Sequence, residues 1–418
     1  MTPGQTPREA VGATPPSDLR RRLRAARRRQ RLVAFVLVAP LLLFLVVNFV
    51  VPVGYLLFRS VDDRAAAAVL PRTVAEIRRW DGVGLPPDSA FPALAADLRD
   101  AQAARTLSAA AIRLSSDRAG FQALLGKTAR VVSASPGPFT RPALVEIDSR
   151  WGEREYWLAV KRASTPLTPT YLLAVFDLQL DNDGRIVPVP ESRRLFNQIW
   201  LRTLWIASVV TLVCVILGYP LAYFIAHARP RVAAVLMIFV LLPFWTALLV
   251  RTIAWLALLQ THGVVNDLAL YLHLASQRTQ LIHNRLGVYV TMSHVLLPYM
   301  VLPIYSVMRR IPPTYLRAAI SLGANPVQAF ARVYLPMTLH GLGAGAALVF
   351  ILAVGFYVTP ALVGGPNDQM ISYFIAYYTN ESLNWNAAAA LSVVLLGFTV
   401  SFFLAFSRLV GLDRLTVR

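Results

Sequence analysis

The side chains best equipped for chemistry in this 418-residue chain do not assemble into a catalytic set. The six histidines (His227, His262, His273, His283, His294 and His340) show no H-E-x-x-H spacing. The single cysteine, Cys214, sits in an apolar run, where a small packed hydrophobe is expected. The stretch from Gly120 to Thr128 has the composition of a phosphate loop, but five residues separate Gly120 from Gly126-Lys127-Thr128. A phosphate loop needs four, so no nucleotide site is expected there. Asp181, Asp183 and Gly184 have the flavour of a calcium loop. In that register the first and twelfth ligands would be Gln179 and Pro190, neither of which serves. A solvated turn is expected instead, and no metal site.

A second group of polar residues lies within or beside apolar runs. His294, next to Ser293 and ahead of Pro298, is either functional or an interhelical hydrogen-bonding group. Arg251 is the one arginine well inside an apolar run, near its end; it snorkels, or it meets an ion or substrate. Trp245, Tyr299 and Tyr357 stand near helix breaks and, with Arg251, are candidates to line a translocation path, packing or interface belts being the alternative for the aromatics. Gly341 and Gly345 have GxxxG spacing and suit close helix packing, internally or against a second copy or partner. The apolar runs contain no Asp or Glu. That argues against a proton-coupled carrier, which relies on intramembrane carboxylates. Energy for any transport would come from outside this chain.

The elements that must hold these residues follow from composition. The chain is 56% hydrophobic and 15% charged, with mean hydropathy +0.52. Soluble domains average about 25% charged residues, so an integral membrane protein is indicated. A spanning helix needs about 20 apolar residues. The runs predict six: 32–58, 203–226, 232–259, 286–308, 336–363 and 387–406. The first exceeds a signal-peptide core and is expected to remain as an anchor.

The formal charge of +19 is unevenly distributed. Residues 1–31 carry nine arginines against Glu9 and Asp18, whereas 62–198 hold 18 basic and 16 acidic side chains. The rest of the excess lies in short segments: Arg229 and Arg231; Arg309, Arg310, Arg317 and Arg332; Arg408, Arg414 and Arg418. The positive-inside rule then places the basic 1–31 tail, these turns and both termini in the cytoplasm. Nucleic acid is not needed to explain the charge. Residues 59–199 fall outside as the one large polar segment. Ala93–Ala111 reads as helix; Ala129–Ser133, Ala143–Ile147, Tyr156–Val160 and Tyr171–Leu180 read as β-rich, with a hairpin turn at Asp181–Gly184. The expectation is an all-α polytopic membrane protein with an α+β extracytoplasmic insertion between its first two helices, followed by a five-helix core over 200–418.

The informative segment is the inner loop 309–336. Tyr315–Leu322 reads as a short amphipathic helix ended by Gly323; Asn325-Pro326 turns the chain, and Val327, Phe330, Ala331 and Val333 begin a second apolar face. A basic helix–Gly–helix element of this kind suits docking into a partner's groove.

These residues resemble the E-A-A-x-x-x-G…L-P loop of binding-protein-dependent ABC importer permeases. Ala318, Ala319, Gly323, Leu335 and Pro336 match, Ala324 follows the glycine, and Arg317 stands where the family has glutamate. Gly218-Tyr219-Pro220-Leu221-Ala222-Tyr223, Leu242-Pro243-Phe244-Trp245-Thr246 with Leu248–Thr252, Leu297–Pro303 and Pro360–Gly365 are similar to the spermidine/putrescine-type subgroup. The resemblance covers about 200–418 well. It implies a type I ABC importer permease fold in the bacterial inner membrane. It also implies a second permease subunit, two cytoplasmic ATPases that bind ATP and Mg, and a periplasmic substrate-binding protein. This chain would be a non-enzymatic transport subunit with no cofactor of its own, and its loop would sit in a groove of the ATPase. The solute would be polyamine-like, with an iron chelate, opine or organophosphonate as alternatives. A membrane-anchored sensor using residues 60–198 and an ATP-independent carrier are the competing classes. A sensor would carry a signalling domain after the last span, whereas this sequence ends within about a dozen residues of it.

Overall fold

The computed structural model describes residues 17–135, 137, 139–181 and 183–410. The first sixteen residues of the basic tail, and the terminal Arg414 and Arg418, lie outside them. Residues 1–56 and 57–418 form separate units. In the first, Ser17–Leu45 is helical and continues through a π turn, Val46–Val50. Val51 donates its N–H to the Val46 carbonyl, five residues back. Pro52 follows; having no N–H, it cannot extend the regular ladder.

Among the described residues six helices are long and apolar enough to cross a membrane: Arg29–Arg59, Phe196–His227, Leu248–Tyr271, Arg285–Met308, Pro326–Val354 and Trp385–Arg408. Two expected spans change shape. The run 232–259 is not one helix. Pro230–Leu241 ends in a 3-10 turn, Leu242–Trp245; Thr246 and Ala247 are extended, and helix resumes at Leu248–Leu259. Pro243 removes a donor there, and of the Pro230–Leu241 helix only Val240 is buried, so little packing compensates the break. The run 336–363 also divides. Leu335–Val354 stops at Gly355, and Val358–Val363 is a separate short helix. Thr359 Oγ1 lies 3.1 Å from Thr252 Oγ1, tying that short helix to 248–259.

The core of the membrane-spanning part is a three-helix junction. Ile206, Val210 and Cys214 from 196–227, Met292, Leu296, Met300 and Ile304 from 285–308, and Val349 and Ala353 from 335–354 share one buried cluster. Small residues set the spacing. A Cβ added at Gly218 would come within 2.8 Å of Met300, and one at Gly345 within 3.0 Å of the Met300 carbonyl and sulfur. A Cβ at Gly341 would meet Pro303 O and Val307 at 2.9 Å. The Gly341/Gly345 face therefore packs on 285–308 within this chain.

The insertion is mainly helical, and of the expected β content only one short strand pair forms among the described residues. Ala129–Ser133 lies inside the helix Phe121–Ala134, Ala143–Ile147 inside Arg141–Ile147, and Tyr156–Val160 inside Arg154–Arg162. The reason is periodicity. Phe121, Leu124, Leu125, Thr128, Ala129 and Val132 recur at helical spacing and are all buried, which outweighs the β-branched pair Val131-Val132. Ala93–Ala111 splits into Ala90–Ala103 and Leu107–Asp117 at Arg105, whose φ is +58°. The only strands among the described residues are Leu178–Leu180 and Ile186–Pro188, paired antiparallel with Gln179 opposite Val187. They flank the expected turn, where Gly184 has φ +74°.

Trp151 and Trp157 centre the insertion's core at a ring separation of 5.2 Å, with Phe91 4.9 Å from Trp157. The phosphate-loop look-alike is spent on this packing: Thr128 Oγ1 accepts from Trp151 Nε1 at 2.9 Å and donates to Leu124 O at 2.8 Å. Beneath the core, Arg113 donates to both oxygens of buried Asp63 and reaches Asp117 at 3.3 Å; Arg162 reaches Asp117 at 3.4 Å. The Arg113 guanidinium lies over the Tyr171 ring at 5.5 Å. Burial opposes the charge on Arg113, but its bonds to Asp63 and the nearby Asp117 hold its pKa above the ordinary value. Burial pushes the Tyr171 phenol up to about 12.

Several contacts join the insertion to the spans. Asp177, buried at φ +54°, accepts from the N–H groups of Leu195, Phe196 and Asn197 at 3.0, 3.0 and 2.7 Å. It thus satisfies the orphan donors that open the 196–227 helix. Asn386 Nδ2 donates to Asp62 O at 2.6 Å. Tyr171, Val175, Ile199, Ile371, Ala390 and Leu391 form a shared buried cluster.

Candidate functional site

The loop between the fourth and fifth spans is built as its sequence suggests. Thr314–Ser321 is helical and is closed by a Schellman-type cap: Gly323 N–H bonds to Ile320 O and Ala324 N–H to Ala319 O. Gly323 has φ +92°, the left-handed conformation that only glycine adopts without strain. Asn325 then caps the next helix. Its Oδ1 accepts from Gln328 N at 2.7 Å while Gln328 Oε1 accepts from Asn325 N at 3.3 Å, a capping box, with Pro326 at the first turn. Pro326–Ala329 runs through a π turn, Phe330–Tyr334, into Leu335–Val354.

One side of this element faces inward. Ile311, Leu316 and Phe330 pack on the buried membrane cluster, and Ala329 and Tyr334 are themselves buried. The other side is open. Leu322 is 89% exposed, Val327 75% and Tyr315 51%, with Ile320 also exposed. Arg309, Arg310, Arg317 and Arg332 are exposed around them. Among the described residues no carboxylate pairs with any of the four. Of the motif positions, Ala318 and Pro336 are exposed, and Ala319, Ala324 and Leu335 half-buried. A basic, apolar surface of this kind can desolvate against a groove of complementary charge.

The candidate path residues are only partly brought together. Tyr299 packs against Phe244 at 4.9 Å, a partner not anticipated, while Trp245 points outward, 87% exposed. Arg251 lies in electrostatic reach of both Tyr299 and His294, and its buried Nε has no hydrogen-bond partner among the described residues. His294 accepts through Nδ1 from Trp255 Nε1 at 3.1 Å. Tyr357 stands apart at the unwound stretch after Val354 and is exposed. Asp368 is engaged by Arg285 at 2.9 Å and Asp267 by Arg278 at 2.8 Å. Neither offers a free carboxylate.

One grouping was not anticipated from the sequence. Tyr219, Tyr223 and His227 follow one another at four-residue spacing on the 196–227 helix, and Phe330 and Tyr334 do so on the π turn. Together they form an aromatic cluster directly behind the exposed loop. The repeated spacing of four was the available signal.

Residues 215–410 match the family described as binding-protein-dependent transport system inner membrane component. The chain is similar to the spermidine/putrescine transport system permease protein PotB of Haemophilus influenzae, 30% identical over 218 residues, covering 51% of this chain and 75% of that protein. It is similar to PotB of Escherichia coli, 32% identical over 216 residues, covering 52% and 77%. It is also similar to the molybdenum transport system permease protein ModB of Mycobacterium bovis, 30% identical over 190 residues, covering 45% and 70%. The matched region begins within the 196–227 helix and holds the other two helices of the junction, 285–308 and 335–354, with the capped loop and the short helix at Val358–Val363. With six apolar helices of spanning length among the described residues, this chain belongs to the binding-protein-dependent transport system inner membrane components, as an ABC importer permease of the polyamine type.

Proposed function

We propose that this chain is one of two membrane permeases in an ATP-driven importer, and that residues 309–336 dock it to a cytoplasmic ATPase. The carrying observation is the loop's two-sided build: Leu316 and Tyr334 anchored in the membrane cluster, Tyr315, Leu322 and Val327 left open beside four unpaired arginines. Nucleotide-driven closure of the ATPases would move this element, and the continuous Pro326–Val354 helix would carry the movement into the three-helix junction. In this arrangement the loop and both termini are cytoplasmic, the 59–199 insertion is periplasmic, and ATP and Mg are bound by the partner. A periplasmic binding protein delivers the solute. Arg317, in place of the family glutamate, would meet an acidic group on the ATPase.

The test is purification of the full transporter carrying Gly323→Asp, or lacking Tyr315–Phe330. Loss of the ATPase from the purified complex together with loss of uptake is expected. An ATPase that stays bound to the deletion variant removes the docking role.

For the solute, the relatives named for spermidine and putrescine support a polyamine, and a permease named for molybdenum sits among the same relatives. Two of the core's acids are already held by arginine. Selection of a polycation would then rest on the binding protein and on aromatic faces such as Tyr299 and Phe244. Uptake competition decides this: excess spermidine or putrescine should abolish transport, and molybdate should not.

A further inference from the structure

The aromatic cluster behind the loop has the build of a transmission joint. Its origin is Pro336. With no N–H, this residue cannot bond to the Arg332 carbonyl, and its ring crowds that carbonyl. The ladder adjusts by one residue: Leu335 donates to Phe330 O, five residues back, and Phe330–Tyr334 becomes a π turn. The wider turn brings side chains four apart closer to eclipse, so that Phe330 and Tyr334 stack at 5.8 Å and 23°. Tyr223 of the 196–227 helix presents its edge to both, at 5.8 Å and 86° to Phe330 and 5.5 Å and 87° to Tyr334. Tyr219 meets Phe330 at 6.3 Å, and its hydroxyl lies 3.0 Å from Thr338 Oγ1. His227, bonded through Nδ1 to Tyr223 O, lies over Tyr223 at 4.2 Å and completes the far side.

A second observation separates this cluster from static packing. The Tyr334 hydroxyl is buried and has no hydrogen-bond partner among the described residues. A buried orphan hydroxyl is costly, and native structures seldom retain one without a reason. An element that is under-satisfied in one state and can be satisfied in another is what a two-state coupling needs.

We propose that Tyr223, Phe330 and Tyr334 are positioning residues for transport. They clamp the loop to the 196–227 helix, and release of the clamp, with Tyr334 gaining a hydrogen bond, carries loop movement into the pore. The proposal rests on the docking reading of the loop but concerns the step after docking. Because Tyr223 and Phe330 lie behind the exposed surface, altering them should leave ATPase binding intact.

The experiment uses the full transporter in liposomes, with ATP hydrolysis and uptake measured on the same sample and ATPase content read from the purified complex. Tyr223→Leu removes the edge contacts. The expected result is normal ATPase content, hydrolysis within about twofold of the parent, and uptake reduced tenfold or more, that is, a raised ATP-to-solute ratio. Tyr223→Phe keeps the ring and should restore the parental ratio. Tyr334→Phe removes the orphan hydroxyl; it should raise the thermal midpoint of the nucleotide-free transporter while slowing uptake severalfold, and it keeps the test open where Tyr223→Leu does not fold. An unchanged ratio in Tyr223→Leu, or a Tyr334→Phe protein with parental uptake, overturns the clamp. Loss of bound ATPase in Tyr223→Leu also overturns it. The docking reading itself fails separately, through an ATPase retained by the Tyr315–Phe330 deletion.

Discussion

The insertion and the loop at 309–336 are both polar interruptions of an apolar chain, yet they are built on opposite terms. The insertion closes on itself. Trp80, Phe91, Phe121 and Tyr156 are buried with Trp151 and Trp157, and its innermost charges, Asp63, Arg113, Asp117 and Arg162, neutralise one another. The loop does neither, since large apolar side chains and four arginines stand open on it. A segment that completes its own core needs no partner to be ordered. One that anchors half its side chains and exposes the rest is shaped for an occupant. Under the docking proposal energy would enter at the loop, although the insertion holds far more of the charged residues.

The sharpest way to break the insertion's half of this contrast is Arg113→Ala. It strands Asp63 and Asp117 in a buried site, and breaking a buried pair from one side costs about 3–5 kcal/mol. Hydrogen exchange on the full chain should show loss of protection across 90–132, with protection of the 285–308 helix retained. Equal loss in both would mean that the insertion has no independent core.

The loop's half is tested by Leu322→Asp with Val327→Asp. Both side chains are largely exposed, so folding should be nearly indifferent, within about 0.5 kcal/mol. If they fill a partner groove, each desolvated anchor contributes about 2 kcal/mol, and ATPase binding should weaken roughly 30-fold for either single change and up to about 1000-fold for both. Unchanged binding with unchanged stability would make the open face an ordinary solvent surface.

Much of this contrast was legible in the sequence, and the part that was not has physical causes. The Gly323 cap and the Asn325-Pro326 turn were readable because each depends on a residue with a narrow conformational range. The spans were readable from length alone, but which of the proline-marked breaks would form was not. Pro298 and Pro303 sit inside an unbroken helix with most of its surface buried, whereas Pro243, on a poorly buried helix, breaks one. A proline's outcome depends on neighbours that the local sequence does not name. The insertion's helices were misread because Val131-Val132 and Tyr156–Val160 carry strand-like residue types, while burial at helical spacing decided the structure. The aromatic clamp escaped because its halves are over a hundred residues apart.

The joint between insertion and spans gives a smaller effect. Asp177→Ala removes the acceptor for three backbone N–H groups at the start of the 196–227 helix. Loss of a cap costs about 1–2 kcal/mol, so exchange of the Leu195, Phe196 and Asn197 amides should accelerate roughly 5- to 30-fold. Asparagine, which keeps an oxygen acceptor, should recover most of the protection.

The smallest expected effect depends on pH and belongs to the insertion alone. Arg150 donates Nε and Nη2 to the two oxygens of Asp148, each at 2.8 Å, and its backbone N–H adds a third bond at 3.2 Å. Hydrogen bonding to Arg150 holds the Asp148 carboxyl down, at about 2 against an ordinary 3.8. A carboxylate whose pKa is depressed by folding stabilises the fold above its unfolded value, and that contribution is lost as pH falls through the folded value. Asp148 therefore supports the insertion above about pH 4 and ceases to do so near pH 2. Solvent screening keeps the gain to about 1 kcal/mol. Asp148→Asn should lower protection of residues 141–162 by that amount at neutral pH, with the difference from the parent vanishing near pH 2. A difference that persists at pH 2 would assign the effect to shape at this turn rather than to charge. The loop, whose arginines meet no carboxylate within the described chain, should show no protection change over the same range.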